Sequence, residues 1–111
     1  MLAIQNNLLN KLLTNWSNEM KFENDTNDKL IKIYALLKYI NPDVHYGDWI
    51  RVLMVIYNES NGSEAGFELA DVWSSQGYKY KGEKDVRKYW RNFKPNHTNP
   101  VRMGTLIKMA G

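Results

Sequence analysis

Apolar side chains recur every three or four positions along most of this chain, which is the spacing of one face of an α-helix. No run alternates apolar and polar residues for long enough to indicate a β-strand. The pattern predicts a series of helices separated by polar, glycine or proline residues. Their approximate bounds are 3–19, 27–40, 47–60, 63–76, 83–93 and 102–110. The predicted fold is all-α, a compact bundle of about five to six short helices.

The apolar stripes also predict where the core lies. The helix predicted over 47–60 has apolar residues at positions i, i+3, i+4, i+7 and i+8, which is typical of a central helix. Ser63 is expected to cap the following helix, and Gly66 on its inward face permits close contact with a neighbour. Three of the four tryptophans lie on inward stripes and are assigned to the core: Trp49, Trp73 and Trp90.

Length and composition limit the classes of protein that need to be considered. With 111 residues the chain has the usual size of one domain. It contains no cysteine, which removes disulfide bonds and thiolate metal ligands. Its N-terminal segment has no basic leader or cleavage site, and no stretch approaches the ~20 apolar residues that span a bilayer. We therefore expect a cytoplasmic protein that does not contact a membrane.

Basic side chains are concentrated towards the C-terminus. Residues 1–78 carry 6 basic and 10 acidic side chains, whereas residues 79–111 carry 9 basic and 2 acidic ones. Several cations share one face of the helix predicted over 83–93, and such a face can follow a phosphate backbone. We predict nucleic-acid contacts from Lys79, Lys81, Lys84, Arg87, Lys88, Arg91, Lys94 and, if the last helix lies alongside, Arg102. The neighbouring rings that could stack on bases are Tyr78, Tyr80 and Tyr89. The alternative is a solvated helix face on which Glu83 and Asp85 pair with some of the cations.

The residue patterns of several kinds of active site are missing from the sequence. There is no Asp-x-Asp cluster for the two metal ions of primer synthesis, and the glycines never form the phosphate-binding loop of an ATPase. His45 and His97 are far apart in the sequence without a partner at metal-ligand spacing, so both are interpreted as solvent-facing loop residues. Asp43 and Asp48 flank His45, and we expect them to cap a turn and to begin a helix. We predict no catalytic residue, no metal and no cofactor.

The order of landmarks from Ala35 to Ala110 resembles the primase C-terminal 2 domain family. The residues that carry the resemblance are Ala35-Leu36, Ile40-Asn41-Pro42, Tyr46, Trp49, Val52, Gly66, Leu69, Trp73-Ser74, Tyr80, Trp90, Phe93-Lys94, Gly104-Thr105-Leu106 and Ala110. The resemblance implies a small helical module found beside primase-polymerase cores or helicase domains, without established catalytic residues. It divides the chain into an N-terminal helix and loop, 1–27, and a helical domain, 28–111.

Together, the basic segment and the resemblance predict an accessory module of phage or mobile-element DNA replication. We expect it to bind single-stranded template or primer-template DNA through the basic helix, with a primase-polymerase or helicase domain in cis or in trans as its protein partner. The alternative is a protein-interaction adaptor, or a small phage-encoded inhibitor, that docks on a primase, a helicase or another nucleic-acid-handling complex. The helix predicted over 3–19 either packs on its own domain or docks on a partner.

Overall fold

The computed structural model describes residues 25–94 and 102–111, with side chains from residue 28 onwards. Within these ranges the chain forms helices and turns and no strand, which confirms the all-α prediction. The helices are α1 (Asp25–Leu37), α2 (Tyr46–Ser60), α3 (Glu64–Ser74), α4 (Glu83–Asn92) and α5 (Met103–Ala110). The helix predicted over 3–19 and the loop with His97 lie outside the described residues. None of the described helices is long and apolar enough to cross a bilayer.

Helix α2 is the central element, as its apolar pattern predicts. It packs against α1, α3, α4 and α5, and Val52, Leu53 and Ile56 on it are fully buried. Trp73 is also fully buried, and its indole Nε1 donates to the Ile40 carbonyl at 2.9 Å. The other helices bury the remaining core side chains, Leu30, Ile33, Tyr34, Leu37, Phe67, Leu69, Ala70, Val86, Trp90 and Leu106.

The first two helix boundaries differ slightly from those expected. Helix α1 ends at Leu37, and a tight turn follows in which the Ile40 amide donates to the Leu37 carbonyl at 3.2 Å. Pro42 has no amide hydrogen to donate, and its ring would clash with the carbonyl of Lys38 in a continued helix, so the helix ends before this point. Helix α2 starts at Tyr46 because His45 caps it, with its Nδ1 accepting from the Gly47 amide at 3.2 Å.

The connection between α2 and α3 brings these helices close together. Asn61 and Gly62 turn the chain with positive φ angles, and the Ser63 hydroxyl accepts from the Gly66 amide at 3.1 Å. A Cβ atom at Gly66 would overlap the Ser60 side chain, so only glycine allows this approach. Both expectations for this segment, the serine cap and the close contact at Gly66, are confirmed.

A buried carboxylate attaches α5 to the rest of the bundle. Glu59 is 7% exposed, and its Oε2 accepts from the Met103 amide at 3.0 Å, at the first turn of α5. Its Oε1 lies 3.6 Å from Lys29 Nζ and 3.4 Å from Arg102 Nη1. An anion at a helix N-terminus accepts from otherwise unsatisfied amides and interacts favourably with the helix dipole. Glu59 thus fixes the start of the last helix and holds Arg102 beside it.

Candidate nucleic-acid interface

Helix α4 presents three different sides to its surroundings. Val86 and Trp90 point into the core and are buried. Arg87 lies on the flank that faces α3, whereas Tyr89 lies on the flank that faces the start of α2. The outer side is cationic and exposed to solvent, and it carries Lys84, Lys88 and Arg91.

Arg87 is engaged within the protein. Its two terminal nitrogens donate to the Glu64 carboxylate at 2.7 and 2.8 Å, and the guanidinium carbon lies 3.6 Å from the centroid of the Phe67 ring. The hydrogen bond from Arg87 lowers the pKa of Glu64, and the same bond raises the pKa of Arg87. The face of four cations predicted on this helix is therefore divided, because one member joins α4 to α3.

Most of the other predicted cations have no acidic partner. In residues 25–94 and 102–111 no ion pair is formed by five exposed side chains: Lys79, Lys81, Lys84, Arg91 and Lys94. Lys88 lies 3.7 Å from Asp85 and is 64% exposed, which makes a weak surface pair. Its Nζ is also 5.3 Å from the centroid of the Tyr89 ring. Arg102 differs from this group, because Glu59 holds it.

An open cleft of about 410 Å³ lies between the start of α2, α4 and the loop before α4. The structure brings together here all three tyrosines predicted to stack on bases, Tyr78, Tyr80 and Tyr89. Lys79 and Lys81 line the same cleft. Five of the eleven predicted site residues therefore line one concave surface, and Lys88 on the outer side of α4 lies beside it.

Three rings form one side of the cleft, and we call Tyr46, Trp49 and Tyr89 the open aromatic cluster. The Trp49 and Tyr89 rings meet edge to face, with centroids 5.3 Å apart and planes at 87°. Tyr46 lies 6.1 Å from Trp49 with the planes tilted by 33°, and it is 57% exposed. The Trp49 Nε1 donates to the Ser74 hydroxyl at 3.0 Å. The cluster therefore exposes ring surface to solvent, and its indole N–H already has a hydrogen-bond acceptor.

Tyr80 forms another part of the wall and is held by an acidic partner. Its hydroxyl donates to Asp71 Oδ1 at 2.9 Å. Burial, followed by this hydrogen bond and the charge of Asp71, raises the pKa of Tyr80 to about 12. Burial also raises the pKa of Asp71 above its usual value. Tyr80 consequently remains protonated at neutral pH and presents its ring, since its hydroxyl is occupied.

The loop before α4 is fixed by a carboxylate from a distant part of the chain. Asp43 accepts from the Tyr78 amide at 2.9 Å and from the Lys79 amide at 3.0 Å. A Cβ atom at Gly77 would lie 2.6 Å from Asp43 Oδ1, so glycine is needed for this approach. The sequence predicts that Asp43 caps a turn but not that it caps this one, because the amides from which it accepts are 35 and 36 residues away. The backbone is held while the Tyr78 ring is 98% exposed.

Sequence reasoning misses two rings of the site and the carboxylate that fixes its loop. The apolar spacing predicts Trp49 in the core, but it is only partly buried: one part packs on the core and another lines the cleft. Tyr46 is a landmark of the family resemblance, but its place at the first position of its helix gives no signal of a binding role. Asp48, expected at the start of the same helix, is there and pairs with Arg51 at 3.0 Å.

The described helices and the cleft define a small all-α module with an aromatic site rimmed by lysines. Residues 33–110 match the family model described as primase C terminal 2 (PriCT-2), and the chain belongs to this family. The resemblance noted over Ala35–Ala110 is thereby confirmed, and the protein is a primase-associated module. Comparison with curated proteins and with solved structures gave no match.

Proposed function

We propose that this domain is a non-catalytic accessory module that binds single-stranded template or primer-template DNA and holds it near a primase active site. In this role it acts in the cytoplasm of a cell in which a phage or mobile element replicates. Its protein partner is a primase-polymerase or helicase domain, in cis or in trans. The family match supports an association with a primase. The surface of the domain supports DNA binding.

The observation that carries the proposal is that some cations of α4 have an acidic partner and others do not. Arg87 has a bidentate acidic partner, whereas Lys84 and Arg91 are exposed and have none in the described part of the chain. Unpaired like charges on one surface create a positive potential that attracts and concentrates an anionic ligand. A phosphate backbone supplies such anions at regular spacing and releases counterions on binding.

We assign the phosphate contacts to six of the predicted cations, Lys79, Lys81, Lys84, Lys88, Arg91 and Lys94. Arg87 and Arg102 are assigned to the fold, since each is held by a glutamate. Tyr78, Tyr80 and Tyr89 lie where a strand that follows the lysines would pass. Rings beside cations are the combination that single-stranded nucleic acid requires.

A pair of charge-matched variants tests the proposal. Lys84→Ala/Arg91→Ala removes two exposed cations from α4, and Lys32→Ala/Lys108→Ala removes two exposed cations from α1 and α5; none of the four forms an ion pair with another described residue. Binding of a labelled single strand is measured against salt concentration. We expect the slope of log K against log salt to fall by roughly 1.4 in the α4 variant, at ~0.7 for each phosphate that the protein no longer neutralises. The control variant should keep the wild-type slope.

The outcomes separate the proposal from the protein-docking alternative. Equal losses in the two variants would mean that net charge, and not this surface, determines binding. If the wild-type protein binds neither single-stranded nor duplex DNA at low salt, the proposal is wrong for the isolated domain and the adaptor is favoured.

A further inference from the structure

The cleft beside α4 has chemistry that phosphate binding does not use. We propose that it is a base-binding site, in which one unstacked base of the bound strand lies against the open aromatic cluster. The inference rests on the proposed function and adds the part of the ligand that enters the protein. The lysines hold the backbone outside, and the rings hold the base inside.

The size and lining of the cleft fit this occupant. Its volume of about 410 Å³ lies within the range of roughly 300–1,000 Å³ found for small-ligand sites. Tyr46 and Trp49 both line the cleft, with their ring planes tilted by 33° to each other. A ring face stacks on any base, because each base has a π-face of its own. The cleft is therefore suited to bases in general and not to one sequence.

The polar groups of the lining favour a base over a phosphate in the interior. The Trp49 indole nitrogen is bonded to Ser74 and the Tyr80 hydroxyl to Asp71, so both donors are already used. Asp85 also lines the cleft, and its negative charge repels a phosphate while its oxygens can accept from the amino group of a base. A nucleotide entering the cleft would consequently do so base first.

The cations at the rim argue for a nucleic-acid strand and against an apolar peptide. Lys79 and Lys81 line the cleft, and Lys88 lies beside Tyr89. An apolar side chain could use the rings but would leave Lys79 and Lys81 without a counterpart. A strand uses both features at once, because its phosphates are separated from each base by the length of one sugar. Charge complementarity therefore selects the strand.

Tyr78 supports the same orientation from the exposed edge of the cleft. Its backbone is fixed by Asp43, yet its ring is 98% exposed. A large ring held in solvent on a fixed loop is available to stack on a neighbouring base. Tyr78 is thus positioned for the base next to the one inside.

The test compares two labelled single strands with the same number of phosphates, one with bases and one built from abasic units. Their affinities are measured for the full chain and for Tyr46→Ala, Tyr46→Phe and Tyr39→Ala. Tyr39 is the matched control, since it is 58% exposed, as against 57% for Tyr46, and lies outside the cleft. Circular dichroism confirms that each variant is folded.

We expect the wild-type protein to prefer the strand with bases by about fivefold or more, the lower end of what one base-aromatic stack provides. Tyr46→Ala should lose most of this preference and keep the affinity for the abasic strand and its salt dependence. Tyr46→Phe should retain the preference, because it keeps an aromatic ring at position 46. Tyr39→Ala should retain it as well, because it leaves Tyr46 unchanged. Quenching of tryptophan fluorescence by the base-containing strand alone would support contact with Trp49.

Three results would overturn the base site, and they differ in what they mean for the proposed function. Equal, salt-sensitive binding of both strands would leave a DNA-binding module that contacts phosphates alone. Binding of neither strand would remove both proposals together. A preference that Tyr46→Ala and Tyr39→Ala reduce to the same extent would also contradict the site, because it would not be localised to the cleft.

Discussion

Two aromatic clusters lie on neighbouring sides of α4 and contain consecutive residues of it, but their surroundings differ. Tyr89 belongs to the open aromatic cluster, and Trp90 belongs to what we call the closed aromatic cluster, Tyr57, Phe67, Trp90 and Phe93. The ring geometry is nearly the same in both. The centroids of Tyr57 and Trp90 are 5.2 Å apart with planes at 71°, and those of Trp49 and Tyr89 are 5.3 Å apart at 87°.

The difference between the clusters is what covers them. In the closed cluster Trp90 is 5% exposed, with Gly66 directly beneath it and Arg87 lying over Phe67. In the open cluster Tyr46 is 57% exposed, and within residues 25–94 and 102–111 the surface beside it is a cleft. Edge-to-face contact stabilises rings in both places. Edge-to-face contact therefore does not distinguish a core from a binding site. The two differ in whether other side chains pack over the rings.

The largest expected effect is a difference in the free energy of unfolding between alanine substitutions in the two clusters. Trp90→Ala should lower the free energy of unfolding by ~3–5 kcal/mol, because it leaves a cavity in a packed core. Tyr46→Ala should lower it by less than about 1 kcal/mol, since most of that ring is already in water. Urea unfolding followed by circular dichroism measures both. Similar losses in the two variants would show that the open cluster is part of the core.

The next largest effect is the loss of stability when a methyl group is added beside the closed cluster, which tests how closely its rings are packed. Gly66→Ala should destabilise the protein by about 1–3 kcal/mol, because the new methyl group overlaps Ser60 and approaches the Trp90 ring. Gly104→Ala is the matched control on α5, where a Cβ atom would meet nothing within 4 Å. There the substitution should stabilise the protein by up to ~1 kcal/mol, through helix propensity alone. If both variants are stabilised, the closed cluster is not closely packed.

The helices and much of the core could be predicted from the sequence because both follow from short-range patterns. The apolar spacing predicts Trp73 and Trp90 inside, and the local signal at Ser63 identifies a helix cap. These features depend on residues within about one or two helical turns of each other. The order of landmarks is sufficient for the family as well.

The division of α4 into a paired and an unpaired side could not be predicted, because it depends on which element covers each side. Helical spacing places Arg87 on the same face as Lys84 and Arg91, but Glu64, its partner, is 23 residues away on α3. The prediction for Trp49 is wrong for the same reason. An inward position in the first turn of a helix is covered only if another element reaches it, and here the neighbouring element leaves a cleft.

A smaller effect distinguishes Arg87, which covers the closed cluster, from Arg91 on the outer side. Arg87→Ala should lower stability by about 1 kcal/mol, because it removes the partly exposed ion pair and the packing on Phe67. Arg91→Ala should leave stability within about 0.5 kcal/mol and weaken DNA binding instead. Thermal and urea unfolding, beside the salt titration of single-stranded DNA, measure the two properties. Loss of binding without loss of stability in Arg87→Ala would reverse the assignment.

The pH dependence of the Arg87 effect follows from the pKa of Glu64. Folding lowers this pKa, so the ion pair stabilises the protein above the ordinary pKa of 4.5 and the contribution disappears as the pH falls through the folded value. The stability difference between wild type and Arg87→Ala should therefore shrink below pH 4.5. A difference that persists at pH values well below this would mean that the packing on Phe67 carries the effect.

The smallest effect tests whether the inner wall of the cleft is desolvated although its mouth is open. The pKa of Tyr80 is raised from 10.0 to about 12, so this residue stabilises the folded state below pH 10 and the contribution is lost as the pH rises towards 12. The tyrosinate absorbance of wild type minus that of Tyr80→Phe should show one tyrosine that titrates near this upper value. In Asp71→Asn the pKa should move down but remain above 10.0, because burial is the first cause of the shift and the carboxylate the second. Titration of Tyr80 at its ordinary value in the wild-type protein would mean that water reaches the wall freely, and the cleft would then offer a base little more than the exposed face of Tyr46.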